Sequence, residues 1–201
     1  MNSNTELVKQ NNLAFDFIEK LYLESSYLVK EIAGLLNEEE EGFIIGKPGG
    51  YGITTSTSKG LEPNNVKSWL LRKFSVFFVA EEKTELRGGV TVTKINKDLK
   101  VLYLRIKFYN KTIQVPTVYS GVLYGIERQN DHSWVKKFEQ IMGHIEYNEN
   151  KFFTDLKKIN YEDRYIKVRG ELITNKLFDI NDSDTIVKKI IKPSLELYRK
   201  Y

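Results

Sequence analysis

Between Ser68 and Gln129 the chain passes through four apolar, β-branched and aromatic stretches separated only by short polar breaks. This spacing constrains the fold more than any other feature. Parallel pairing of successive strands needs crossovers of about a dozen residues, and the breaks are too short, so an antiparallel meander is expected. In the first stretch Leu70, Arg72, Phe74, Val76 and Phe78 alternate with Leu71, Lys73, Ser75, Phe77 and Val79. One face is therefore apolar and the other mixed. Glu81 to Gly88 reads as a turn, and Val90 and Val92 then alternate with Thr91 and Thr93 as the second strand. In the third, Leu102, Leu104, Ile106 and Phe108 share one face, while Val101, Tyr103, Arg105, Lys107 and Tyr109 share the other. Val115 to Ile126 is the fourth, with Pro116 near its start, where a missing N–H does least harm.

The flanks are helical. From Thr5 to Asn37, Ala14, Ile18, Leu21, Leu28, Ile32 and Leu35 fall on three- and four-residue spacings that place them on one helix face, widened by Phe17 and Tyr22. Ser25-Ser26 is a candidate bend. The acidic run Glu38 to Glu41 reads as a solvated helix end or loop. Phe43 to Thr57 suggests a hairpin turning at Pro48-Gly49. Its glycines do not make a phosphate loop, because the G-x-x-x-x-G-K-[ST] order and a following helix are both missing. Ser133 is a suitable N-cap for a helix carrying Val135, Phe138, Ile141, Met142 and Ile145, and Phe152, Phe153 and Leu156 suggest a short second one. Tyr165 to Ile173 alternates again, as a candidate extra strand at an edge. A last helix starts near Ser183 and meets Pro193, which either kinks it or begins a new segment. The expectation is an α+β fold: an antiparallel meander sheet of about five to seven strands, flanked by N- and C-terminal helices. At 201 residues it is read as a single domain over 1–201, with a helical region at about 5–37, the sheet at about 43–128 and a second helical region at about 133–201.

Composition removes several function classes. The chain has no cysteine, which excludes disulfides, thiolate metal sites, iron–sulfur clusters and a cysteine nucleophile. Its formal charge of +4 comes from 31 basic and 27 acidic side chains spread along the whole length, a weak signal for nucleic acid. No stretch approaches the ~18 apolar residues needed to span a bilayer, and Met1-Asn-Ser-Asn-Thr-Glu lacks the pattern of a signal peptide. A cytoplasmic location without membrane contact is expected. Abundant Lys, Asn and Ile beside only four prolines suggest an AT-rich genome, bacterial or phage.

Chemistry-bearing residues are sparse. His132 and His144 stand twelve apart, not at the i, i+4 spacing of a helical metal pair, and the context of His132 is explained by helix capping. No serine sits in a nucleophile-elbow setting. A carboxylate-dependent nuclease would need paired acids beside a lysine, yet the central strands hold almost none. Glu127, beside Arg128, is the best single carboxylate, Glu171 is next, and Glu127, Arg128 and His132 form the weak catalytic candidate set. No metal or cofactor is expected. The remaining feature is the face carrying Lys73, Phe77, Tyr103, Arg105, Lys107 and Tyr109, an aromatic and cationic surface able to stack bases and track phosphates if it is open. Coverage by the terminal helices is the competing arrangement. The expected function is a non-enzymatic binding or adaptor protein with a protein partner, acting through a sheet face or partner contacts. The alternatives are nucleic-acid binding through the basic, aromatic face and a metal-dependent nuclease or other enzyme using the Glu/Arg/His set.

Overall fold

The computed structural model describes residues 2–46, 53–54, 72–109, 115–129, 137–148 and 158–201. In chain order the elements are α1 (Asn2–Asn37), β1 (Phe43–Ile45), β2 (Ile53–Thr54), β3 (Lys73–Ala80), β4 (Thr84–Arg87), β5 (Val90–Thr93), β6 (Val101–Lys107), β7 (Thr117–Arg128), α2 (Phe138–Tyr147), β8 (Lys158–Glu162), β9 (Ile166–Lys176), α3 (Ser183–Ile186) and α4 (Lys192–Lys200). A π turn over Val187–Ile191 joins α3 to α4. The fold is α+β, as expected. A seven-stranded sheet runs in the order β1-β3-β6-β7-β9-β8, with β2 also laid along β3, and every described pairing is antiparallel.

Three layers result. On one face Val76, Phe78, Leu102, Leu104, Ile106 and Val118 pack against α1 through Leu28, Val29, Ile32 and Leu36, and against the C-terminal helices through Ile186, Ile190, Leu195 and Tyr198. On the other, Phe77, Val79, Tyr103 and Leu123 lie under Phe138, Ile141, Met142 and Ile145 of α2. Each such aliphatic or aromatic side chain contributes about 1.5–3 kcal/mol on burial, so the strand alternation is held from both sides. Two glycines permit close approach. A Cβ at Gly121 would stand 2.2 Å from the Glu171 carbonyl oxygen in the β7–β9 pair, and one at Gly46 would stand 2.6 Å from the Phe138 ring.

Several local expectations are corrected. The Val90–Thr93 strand leaves the meander: it pairs with Thr84–Arg87 in a separate two-stranded ribbon, and β3 pairs directly with β6. The Glu81–Gly88 segment is thus a 3₁₀ turn and a strand rather than one turn. In these β5 and β4 stretches only Val90, Val92 and Leu86 are large and apolar, too few to compete with β6, where six of seven residues are buried. β1 and β2 do not form a hairpin with each other; both run antiparallel along β3, Phe43 opposite Ala80 and Ile53 opposite Ser75. β9 is not an edge strand, since β8 lies outside it. Pro48-Gly49, Ser133, Val135 and the segment Phe152 to Leu156 lie outside the described residues.

α1 is one helix through Ser25-Ser26. The buried Ser25 hydroxyl donates to the Leu21 carbonyl at 2.8 Å, an i−4 bond that satisfies it without breaking the helix. At the other end Asp182 caps α3 by accepting from the Thr185 amide at 2.7 Å. Pro193 has no N–H to offer the Lys189 carbonyl four residues earlier. That oxygen instead accepts from Asn175 Nδ2 at 2.9 Å, and the backbone widens into the π turn just before the proline.

Candidate functional site

The basic and aromatic face is covered across its centre, by α2 rather than by the terminal helices, which pack on the opposite face. Tyr103 is 1% exposed, Arg105 3% and Phe77 4%. A base could not reach Tyr103 without displacing α2. Lys73 and Lys107, cross-strand partners at the end of β3 and β6, are half-buried. Tyr109 is exposed, with the Arg72 guanidinium 5.5 Å from its ring centroid.

Beneath α2 lies a buried polar cluster. Tyr103 donates to Glu146 Oε1 at 2.5 Å, Ser75 Oγ lies 3.1 Å from the Tyr103 hydroxyl, and Arg105 Nη1 donates to that hydroxyl at 3.5 Å. Arg105 Nη2 stands 3.9 Å from Glu146 Oε2, and the Glu146 side chain is fully buried. Burial, reinforced by the Glu146 carboxylate, holds the Tyr103 phenol well above its ordinary range. Burial and repulsion from Arg105 lower Lys73 to about 8, with Lys107 adding to the repulsion and Glu146 opposing it; the Lys107 ammonium is lowered by burial and Arg105. Neutralising two buried charges against each other is what this cluster does, and it ties the C-terminal turn of α2 to the sheet. Sequence periodicity held a usable signal: Phe138, Met142 and Glu146 recur at i+4, which places Glu146 on the apolar face of its helix.

Of the weak catalytic set only Glu127 and Arg128 lie among the described residues. Glu127 is exposed and opposite Lys167, while Arg128, opposite Ile166, is only partly exposed. His132 lies outside the described residues. Glu171 is tied by Lys200 Nζ at 3.0 Å and the Tyr201 hydroxyl at 2.5 Å. Among the described residues no group of three or more His, Asp or Glu side chains could hold a metal ion.

A second cluster was not anticipated. His144 Nε2 lies 2.7 Å from Asp163 Oδ2, which also accepts from the Tyr161 hydroxyl at 2.8 Å. Asp163 Oδ1 accepts from the amides of Tyr165 and Ile166 at 2.8 and 2.9 Å, closing the β8–β9 turn. Partial burial raises the Asp163 carboxyl, but hydrogen bonds from the Ile166 amide, His144, the Tyr165 amide and Tyr161 outweigh it and hold the group at about 2. With His144 buried, the pair pins α2 to the hairpin.

The open surface is elsewhere. Every described side chain from Thr5 to Phe17 is exposed, so the first half of α1 projects from the body as a free rod. Leu7, Val8, Leu13, Phe15 and Phe17 along it are about 60% exposed each. Where the rod joins the body a groove of about 510 Å³ runs beside the helix from Phe17 to Glu31, walled across from Leu21 and Leu28 by Leu177, Phe178 and Ile186. Its rim carries Lys20, Glu24, Glu31 and Asp182. Five large apolar residues within eleven positions of an exposed helix exceed the single scattered exposure normal for a protein surface. Of these five residues the three- and four-residue stripe in the sequence included only Phe17; Leu7, Val8, Leu13 and Phe15 lie off that stripe. Among the described residues no helix is long and apolar enough to cross a membrane. Comparison with protein-family models, with curated proteins and with solved structures found no match to the chain.

Proposed function

We propose that the protein is a non-enzymatic, cytoplasmic binding or adaptor protein, and that it binds an apolar helix through the projecting half of α1 and the groove at its root. The observation that carries this reading is the group of exposed apolar side chains on the rod, Leu13 and Phe17 among them one helical turn apart, leading into a groove at its root on a molecule whose sheet is covered on both faces. Helix-in-groove recognition needs such apolar anchors at helical spacing and a cleft to receive them. The acidic rim of Glu24, Glu31 and Asp182 favours a helix with basic flanks.

The test uses a fluorescent, 18-residue Leu/Lys amphipathic peptide as the probe. Anisotropy should show saturable binding to the chain, weakened roughly tenfold or more by Tyr27→Glu with Phe178→Glu, a loss of the size expected for apolar anchors. Both side chains are more than half exposed, so the melting temperature should not move. Equal binding by the double variant would remove the groove reading.

Nucleic-acid binding is the second reading, supported by the half-buried Lys73 and Lys107 and the exposed Tyr109 at one end of the sheet. It predicts retention on single-stranded nucleic acid that weakens steeply with salt. No retention at low salt would sink it.

A further inference from the structure

The strand registers line up one basic row. Lys73 on β3 faces Lys107 on β6, Lys107 faces Thr117 on β7, and Thr117 faces Lys176 on β9. Partners directly opposite share a side of the sheet, and alternation from Phe77, Tyr103, Tyr119 and Leu172 puts this row on the α2 side. Two residues inward, the next row holds Ser75, Arg105, Tyr119 and Thr174. α2 reaches that inner row, where Glu146 in its last turn meets Arg105. Toward the end of the sheet Thr174, Lys176 and Tyr109 are exposed, and Lys73 and Lys107 are half-buried.

Neighbouring strands lie about 4.8 Å apart, so Lys73 and Lys107 stand side by side and Lys176 is about 10 Å farther along. Like charges directly opposite each other on adjacent strands repel. Arg105 adds to the repulsion on both lysines, and Glu146 relieves part of it. An anion that meets several of these cations at once stabilises the row. We infer that the outer row binds a phosphate chain, a ligand with two or more adjoining phosphates, through Lys73, Lys107 and Lys176. At this row β6 and β7 are paired on both sides, so between Lys73 and Lys176 the face offers side-chain charge and no backbone N–H to a peptide. The row is about 14 Å wide, which one carboxylate cannot span and a chain of phosphates can. Lysine suits such a ligand as a point-charge phosphate binder. The site is separate from the groove, and it shares Lys73 and Lys107 with the nucleic-acid reading without depending on it, because a phosphate chain comes either free or as a nucleic-acid backbone.

Calorimetric titration of the full chain with tripolyphosphate at low salt tests the site. Saturable one-to-one binding is expected, weakened roughly tenfold or more by Lys107→Gln and by Lys176→Gln, the size of one lost charge-assisted hydrogen bond. Lys192→Gln, at an exposed position of α4 in the opposite layer, should change nothing. Lys176 is exposed and Lys107→Gln removes a repulsive pair, so neither variant should lower the melting temperature. Burial and the charges of Arg105 and Lys107, opposed by Glu146, put Lys73 at about 8. Affinity should therefore drop as pH rises through that value more in the wild type than in Lys73→Arg, which stays charged. No binding at low salt, or losses no larger than that of Lys192→Gln, would overturn the site. A short oligothymidylate identifies the source. Competition with tripolyphosphate, together with a loss in Tyr109→Ala that tripolyphosphate does not feel, would assign the chain to single-stranded nucleic acid, with Tyr109 stacking a base. Tripolyphosphate binding without oligothymidylate binding would assign it to a free oligophosphate and end the nucleic-acid reading. Oligothymidylate binding that, like that of tripolyphosphate, ignores Lys107→Gln and Lys176→Gln would overturn the row and leave the nucleic-acid reading on another surface.

Discussion

Glu146 and Arg105 face each other inside the protein, 3% or less of either side chain exposed, with Tyr103 donating to the carboxylate between them. A buried pair of this kind adds little net stability over an apolar pair of equal volume, but removing one member strands the other. Glu146→Ala should therefore cost about 3–5 kcal/mol, read from urea unfolding. Replacing both Arg105 and Glu146 by Met should recover most of that loss, and a double variant no more stable than the single one would show that the cluster is not acting as a pair. Asp163 belongs to a different regime. Its folded carboxyl titrates at about 2 against an ordinary 3.8, so the stabilisation it supplies is whole above about pH 4 and is lost as pH falls from there through about 2. Asp163→Asn should cost about 1–2 kcal/mol at neutral pH, allowing for its partial exposure, and clearly less near pH 2. An equal cost at both pH values would contradict the assignment.

At the scale of elements, the three helical regions take different parts. α2 closes the second sheet face with four apolar side chains, and is fastened at its last turn by Glu146 below and by His144 to the β8–β9 hairpin. The C-terminal helices close the first face, and their irregularity has one cause: Pro193 frees the Lys189 carbonyl, and Asn175 from β9 supplies the missing donor. Asn175→Ala should cost about 1 kcal/mol by leaving that carbonyl without its donor, measured as a shift of the urea midpoint at unchanged slope. Surface pairs reinforce the seam more weakly. Arg199 donates to both Glu41 oxygens at 3.0 Å and to Glu39 at 3.3 Å, so two members of the acidic run after α1 are tied to α4 while Glu38 and Glu40 stay exposed. α1 alone is half committed: its second half is core, and its first half, from Thr5 to Phe17, touches solvent on every side.

For the whole molecule, strand runs, antiparallel pairing and terminal helices could be read directly, because a period of two and one near 3.6 are local properties of consecutive residues. The start of the last helix near Ser183 and the break at Pro193 were readable for the same reason. Where two segments competed for one neighbour, local pattern was not enough. Val90–Thr93 alternates as a strand should, yet β6 takes the place beside β3 because it buries far more apolar surface there. β8, with only Ile159 and Tyr161 turned inward, carried too short a signal to mark it as the outermost strand. The candidate site shows the same division. Tyr103, Arg105 and Lys107 could be placed on one face from the sequence alone, but whether that face met water depended on Glu146, 43 residues after Tyr103, arriving on a helix above it. The amino-acid sequence by itself determined which residues lie in strands and helices and which side of each is apolar. Only the tertiary structure decided that both sheet faces are covered and that the open apolar surface is the first half of α1, because coverage is a property of what packs where, and that is set by competition among distant segments for the same buried area.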